Sequence, residues 1–479
     1  MLASLKFLLP VFALVLIFYY KVLGVYFSQD DFFHITISQT NGSFYGFLNL
    51  FGFYPFEERG IAFYRPVFRE AFFNIFYSIF GLNQLPYRVF QLALHFTNIV
   101  LVYTFTQKWL GDKRISGFAA LFFGISATNV ATLYYLTGGV QVLGATIFIL
   151  QTLLFYEKHA RWALLTFLVA LASHELAVVV PLLLTVINWR RALPFVGLTL
   201  IYLYLDFSII GFSKNEVQYQ SVFSLPKLIN TYAWYSGWAL GLPEMLIDFV
   251  RSGLQLNPSL MHYWGNYFKI IFPAFFIALF GLLYLTSYLF LKKKEILLNK
   301  KVLLLIIWFV VGLLPVAVLP WHKSTYYLYP VLAAFSLLVS YVMFKFAENT
   351  KKLSARVVVA FLVAALFILN ATSVTLGDST YWAATRGRLA EKLIGQISSQ
   401  YPTLPKGAVF YIKNDPNYPF VAEDWGGTSK QASIILNRED ALRLYYQDPT
   451  ITVYYEDMGN PPDTSTRFEI TAKLKLRGF

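Results

Sequence analysis

The chain has 479 residues, of which 57% are hydrophobic, 19% aromatic and only 14% charged. A mean hydropathy of +0.54 excludes an average soluble globular protein, and repeated apolar stretches of roughly 20 residues point to many membrane crossings. Cysteine is absent, which excludes disulfides, thiolate metal sites and cysteine nucleophiles.

Eleven apolar spans are predicted, at about 6–27, 86–107, 115–128, 138–156, 161–173, 175–189, 193–211, 268–291, 302–320, 325–344 and 357–376. The third, fifth and sixth are shorter than the roughly 20 residues of a perpendicular crossing. Short spans that end in polar residues fit helices stopping at a water-filled cavity. No small-residue cleavage site follows the first run, so it is expected to stay as a signal anchor, with Lys21 snorkelling near its outer end.

Two long loops interrupt the spans. The first, about 28–85, ends in an aromatic segment (Phe72, Phe73, Phe76, Tyr77, Phe80) closed by Gly81, which reads as an amphipathic helix in the membrane interface. The second, about 212–267, carries Trp234, Trp238 and Trp264, typical of interfacial structure. From about 377 the composition becomes that of a soluble domain. A helix is predicted over 384–400 and another over 438–447, with strands at 409–412, 432–435, 450–454 and 468–476. The expected architecture is thus a mostly α, polytopic helix bundle over 1–376 with a small α/β domain over 377–479.

The net charge of +13 reports topology rather than a nucleic-acid partner. Short loops on one side, among them those with Lys108, Arg114, Lys158, Arg190, Arg191, Lys292, Lys300, Lys345, Lys351, Lys352 and the leading Lys6, hold 17 basic residues against four acidic ones. The remaining loops hold ten of each and the tail twelve of each. This is the positive-inside signature, so the basic face and the N-terminus are assigned to the cytoplasm. Eleven crossings then place the tail outside.

Four polar motifs fall on that outer side. Asp30-Asp31 follows the first span, and two carboxylates beside lipid need a reason to be there. Tyr64-Arg65-Pro66 lies later in the same loop. Ser173-His174-Glu175 turns between spans five and six, and Trp321-His322-Lys323 runs into Tyr326-Tyr327-Leu328-Tyr329-Pro330 between spans nine and ten. Singly, each has a structural reading: solvated charge, a helix cap at His174-Glu175, headgroup contacts at Arg65, His322 and Lys323. Together they suit glycosyl transfer from a lipid phosphate. That reaction needs a carboxylate to take the acceptor's proton, which Asp30 or Asp31 offers. It also needs cations against the phosphate leaving group, which Arg65, His322, Lys323 and His174 offer. No His-x-x-x-His or Glu-x-x-His cluster supports a metal. The Asn41-Gly42-Ser43 and Asn370-Ala371-Thr372 sequons are short pattern matches that carry no assignment.

An acidic pair just after the first span, with Tyr-Arg-Pro further along the same loop, resembles the GT-C glycosyltransferases, such as the protein O-mannosyltransferases. Ala172-Ser173-His174-Glu175 followed by Val180-Pro181 is similar to their Ser-Lys-Glu turn, and Tyr327-Leu328-Tyr329-Pro330 to their Arg-Tyr-Leu-Tyr-Pro stretch. The likeness covers residues 1–375 as architecture. It implies a multi-pass enzyme of the cytoplasmic membrane that takes a polyprenyl-phosphate sugar as donor and a protein, lipid or glycan as acceptor. By the same resemblance Asp30 is the catalytic base and Asp31 orients the acceptor, while Tyr64, Arg65, His174, Glu175, His322, Lys323 and Tyr327 bind the donor. His174 and Tyr326 stand where that family has permanent cations, which leaves the phosphate to Arg65 and Lys323. Two further readings are an O-antigen-type polymerase or ligase, for which the outer loops lack an arginine excess, and a non-catalytic protein that binds glycolipid or transports a lipid or solute. For a transporter, Asp206 is the one ionisable candidate within a span and no internal repeat is evident.

Overall fold

The computed structural model describes residues 2–211, 217–350, 353–418, 426–462 and 467–474. Lys351, Lys352, the start of the second long loop at 212–216 and the end of the last predicted strand at 475–476 lie outside the described residues, as does the side chain of Lys6. The chain forms two compact units. One comprises Met1–Tyr20, Phe51–Phe68 and Phe90–Tyr381; the other comprises Lys21–Leu50, Arg69–Val89 and Trp382–Phe479.

Among the described residues, seven helical stretches are long and apolar enough to cross a membrane: Gln84–Leu110, Leu136–Phe155, Glu175–Ile210, Pro258–Leu297, Lys300–Ala317, Thr325–Thr350 and Leu353–Gln400. The first helix, counted with Gln29–Ile37 as one broken span, makes an eighth. The predicted third and fifth spans form the helices Lys113–Ile125 and Ala160–Leu171, of 13 and 12 residues. At 1.5 Å per residue these cover about 20 Å, short of the roughly 30 Å of a hydrocarbon core. The predicted sixth and seventh spans run together in Glu175–Ile210. Their join is at Asn188, whose backbone leaves helical geometry (φ −156°, ψ 100°) and whose Oδ1 accepts the Arg191 N–H at 3.3 Å. An asparagine in that role caps a restarting helix, so the segment is two helical pieces.

In the first unit, Pro258–Leu297 buries Ala278, Leu285 and Leu289 in a cluster with Met343, Phe346, Leu362 and Leu366. Its other face exposes Phe276, Ile277, Phe280, Leu283 and Tyr284, an apolar surface of the extent expected against lipid tails. Between Ile125 and Leu136 the backbone is interrupted, and side chains from elsewhere satisfy it. Tyr19 donates to the Ser126 carbonyl at 2.5 Å, and Asn129 to that of Phe123 at 2.7 Å. Gln91 donates to the Thr132 carbonyl at 2.8 Å, and the Asn370 amide oxygen accepts the Ala127 N–H at 2.7 Å. Irregular backbone is tolerated at membrane depth when such partners replace the missing ladder. Asn370 is fully buried, so its sequon is closed to modification.

The basic loops gather at one end of this unit. Lys108 donates to Leu154 O at 2.6 Å, Arg191 to Glu157 O at 2.8 Å and Lys300 to Ile187 O at 3.4 Å, while Arg114 pairs with Glu348 at 2.6 Å. Lys108, Arg191 and Lys300 cover carbonyls at or just past helix C-termini, the end that a positive charge favours.

In the second unit, the helix Trp382–Gln400 buries Leu393, Ile394 and Ile397. Three parallel strands form its sheet, in the order Thr452–Tyr455, Val409–Lys413, Arg467–Thr471. The predicted strand at 432–435 is instead the end of the helix Thr428–Ile435. A four-residue apolar run does not separate strand from helix; the buried positions Thr428, Ser429, Ala432 and Ser433 follow helical spacing, and parallel strands need a crossover of this kind. The helix Phe72–Phe80 buries Phe72 and Phe73 and leaves Ile75 and Ile79 exposed, as an interfacial helix does.

Candidate functional site

In the first unit, the segment ahead of Pro66 is held from several directions. Phe63 has φ +66°, a left-handed conformation that a bulky side chain seldom adopts. The next residue, Tyr64, gives its backbone N–H to Asp206 Oδ1 at 3.1 Å and its hydroxyl to Phe51 O at 2.8 Å, with its ring stacked on Phe53 at 4.0 Å. Asp206 is buried and occupied by this contact, which accounts for an acid inside a span without transport. These anchors aim the Arg65 side chain inward, under the Phe63 ring at 5.0 Å.

Arg65 forms a fork with Glu175, Nε to Oε2 at 2.7 Å and Nη2 to Oε1 at 2.5 Å, and its Nη1 donates to Gln141 Oε1 at 2.7 Å. Burial opposes the guanidinium charge, but the Glu175 carboxylate more than offsets it and raises the Arg65 pKa. Three of the five N–H groups are therefore engaged, and the charge is neutralised in a geometry that suits arginine. Gln141 was not singled out from the sequence; an amide inside an otherwise apolar span was the available signal.

His174 caps the turn ahead of the helical stretch from Glu175. Its Nδ1 accepts the Leu176 N–H at 3.3 Å and lies 3.2 Å from Glu175 Oε2. Its ring meets Tyr327 edge-on at 6.2 Å between centroids. Tyr327 packs on Tyr326 at 4.0 Å and on His322 at 5.7 Å; His322 meets Tyr219 at 4.8 Å, and Tyr219 returns to Phe63 at 6.3 Å. Arg65, Glu175, His174, Tyr327 and His322 thus form one connected circle, contributed by residues up to 262 positions apart in a chain where the sequence offered only short motifs.

Lys323 stands beside that circle. Its ammonium donates to the Pro320 carbonyl at 2.6 Å. Burial, and after it the charge of Lys227, holds its pKa below the usual lysine range. Lys227 lies over the Trp321 ring at 4.3 Å, so two cations share this corner. The following residues are clamped by Glu244, which accepts from Ser324 Oγ at 3.2 Å and from the Thr325 N–H at 2.6 Å. Burial raises the Glu244 pKa against the opposing effect of those hydrogen bonds. Neither Lys227 nor Glu244 was read as part of a site from the sequence.

Asp30 and Asp31 belong to the second unit and differ from each other. Asp31 occupies the third position of the helix Gln29–Ile37, where its Oδ2 accepts the Ser28 N–H at 3.0 Å and the Ser28 hydroxyl at 3.4 Å. This reciprocal cap leaves Asp31 only 1% exposed. Asp30, one position earlier, is half-buried at a helix N-terminus, whose dipole favours a carboxylate. Arg386 donates from Nη1 to the side-chain oxygen of Gln29, the residue before Asp30. Among the described residues no three His, Asp or Glu side chains come together as a metal site requires.

No family model and no curated protein matches the sequence. The solved structures similar to this chain include two of an archaeal oligosaccharyltransferase. One is the archaeal oligosaccharyltransferase AglB from Archaeoglobus fulgidus in complex with an inhibitory peptide and a dolichol-phosphate, at TM-score 0.47 and 13% identity, over 90% of this chain and 63% of that one. The other is the Archaeoglobus fulgidus oligosaccharyltransferase in complex with Zn and sulfate, at TM-score 0.44 and 15% identity, over 89% of this chain and 61% of that one. This chain therefore spans under two thirds of the length of either.

Proposed function

We propose that this chain is a membrane glycosyltransferase of the GT-C kind, moving a sugar from a polyprenyl-phosphate donor to a hydroxyl acceptor on the outer side of the cytoplasmic membrane. The observation that carries this reading is the meeting of three separate outer-loop motifs, Arg65, His174-Glu175 and His322 with Tyr327, in one circle of contacts. Gln141 and Leu154 sit near opposite ends of one helix, Leu136–Phe155, the first reaching Arg65 and the second reaching Lys108. The motif end and the basic end of the unit are thus about 20 Å apart along that helix. This supports an eleven-crossing topology in which Lys113–Ile125 and Ala160–Leu171 also run between the two ends.

The reaction is a single displacement. The acceptor oxygen forms a bond to the anomeric carbon while the bond from that carbon to the phosphate oxygen breaks, so configuration inverts. The acceptor's proton passes to Asp30, and the electron pair leaves with the phosphate. Because Arg65 is neutralised by Glu175, the phosphate falls chiefly to Lys323, Lys227 and His322, with the Arg65 group framing them. Tyr64 acts as a strut. Asp31 acts through its cap to orient Asp30 rather than by holding the acceptor itself.

The test is to incubate the purified protein with radiolabelled polyprenyl-phosphate hexoses and pentoses, beside Asp30→Asn and Asp31→Asn. Asp30→Asn should abolish transfer while donor still binds, and Asp31→Asn should keep a measurable fraction. Undiminished turnover by Asp30→Asn would remove the base assignment.

A further inference from the structure

We propose that Arg386, carried by the helix Trp382–Gln400, is a positioning residue for Asp30, fixing its orientation and keeping its carboxylate ionised. This rests on the reading of Asp30 as the base.

The placement starts with Gly387. A Cβ there would lie 2.5 Å from the Tyr26 carbonyl oxygen and 3.3 Å from Val25 Cγ1, so only glycine lets this helix lie directly against residues 25–26. That approach brings the neighbouring Arg386 to the start of the helix Gln29–Ile37. Its guanidinium donates to Gln29 and lies against the Trp382 ring at 5.0 Å. Asp30, the residue after Gln29, is close enough for its charge to act on the Arg386 guanidinium against the cost of burying it. Arg386 is half-buried, where a charge-charge interaction is less screened than at an open surface.

Among the other charged groups on neighbouring elements, Arg88 is buried and donates to the Val25 and Tyr26 carbonyls at 3.0 and 3.2 Å. On the helix of Asp30, Asp31 is in its cap and His34 is stacked on Phe73 at 6.3 Å. The helices Phe72–Phe80 and Asp440–Tyr446 pack on Gln29–Ile37. They bring Tyr77, bonded to Leu444 O at 3.0 Å, Asp440, bonded to Asn437 at 2.6 Å, and Arg443, paired with Glu439 at 3.2 Å. Arg388 and Glu391 share the helix of Arg386, with Arg388 exposed. Arg386 reaches the residue before Asp30 through its bond to Gln29.

The chemical consequence is a base that resets. Once Asp30 has taken the acceptor's proton, the neighbouring guanidinium disfavours the neutral acid, so the proton is released to water at this partly exposed position and the carboxylate returns. An amide in place of the guanidinium keeps a donor for Gln29 but removes that effect.

The experiment compares Arg386→Gln, Arg386→Lys and Asp30→Asn in the full-length protein. With saturating donor, Arg386→Gln should move the acid limb of the transfer rate up by about one pH unit, a tenfold loss on that limb, with the donor KM little changed. Arg386→Lys should restore most of it. Thermal midpoints of Arg386→Gln, Asp30→Asn and the double variant in detergent should be non-additive, the double shift being smaller than the sum. Additive midpoints, or an acid limb that does not move while Asp30→Asn is inactive, would overturn the role of Arg386 alone. Full turnover by Asp30→Asn would instead overturn the base itself. Coupled midpoints with no transfer from any donor would sink the transferase reading and the role with it.

Discussion

Replacing Glu175 by leucine isolates the energetics of the Arg65 fork. The two side chains are 12% and 17% exposed, so both charges are largely withdrawn from water. Leucine removes the acceptors at 2.7 and 2.5 Å and leaves Gln141, at 2.7 Å, to hold the guanidinium. Breaking a buried ion pair from one side costs about 3–5 kcal/mol. The residual exposure and the surviving amide contact place this case near about 3 kcal/mol, roughly a hundredfold in the folded-to-unfolded ratio. Arg65→Met with Glu175→Leu removes both charges at similar volume and should recover most of that loss, because an apolar pair can replace a buried salt bridge at little cost. The assay is denaturant unfolding in mild detergent, followed by tryptophan fluorescence, for the wild type, both single variants and the double. Additive losses, with a coupling under about 0.5 kcal/mol, would refute the view that this fork holds the unit together.

Other outcomes follow from contacts already described. Arg88→Met should destabilise the second unit by about 2 kcal/mol, since the buried guanidinium bonds the Val25 and Tyr26 carbonyls at 3.0 and 3.2 Å and methionine leaves both unsatisfied; an unchanged unfolding midpoint would contradict this. Gly139→Ala places a methyl 1.9 Å from the Thr132 carbonyl oxygen, and a lower thermal midpoint, by the equivalent of about 1–3 kcal/mol, is expected from overpacking. Burial, then Lys227, depress the pKa of Lys323, so its charge is lost at a lower pH than that of an ordinary lysine. Binding of a polyprenyl phosphate should weaken through that range as pH rises. Lys227→Met removes the repulsion and should move the loss to higher pH; a shift to lower pH, read by titrating a fluorescent donor, would refute the assignment.

Much of the bundle was legible because long apolar runs have few other fates, and because lysine and arginine mark one membrane face. The motif end was legible as a set of residue types: Arg65, His174, Glu175, His322 and Tyr327 do meet. What the sequence withheld was which charge answers which. Arg65 looks like a phosphate ligand until Glu175, 110 positions away, closes its fork. Asp31 is different, since Ser28-x-x-Asp31 is itself a capping pattern and could have separated the two acids in advance. The helix at 428–435 escaped because its apolar run is short and its start depends on a remote amide, Asn414, which accepts the Ser429 N–H at 2.8 Å. Among the described residues, seven stretches stand against eleven predicted spans because two spans form short helices, two run together across the break at Asn188, and the first is bent.

The conformation of Phe63 has a consequence for how this chain can vary. Its backbone sits where glycine would be at ease, yet a ring is needed there to cover the guanidinium of Arg65 and meet Tyr219. Relief of the torsion and retention of the aromatic lid are therefore opposed demands on a single codon. Phe63→Gly measures which dominates: a firmer fold with a slackened pocket would mean that the chain tolerates local discomfort in order to keep its cation shielded.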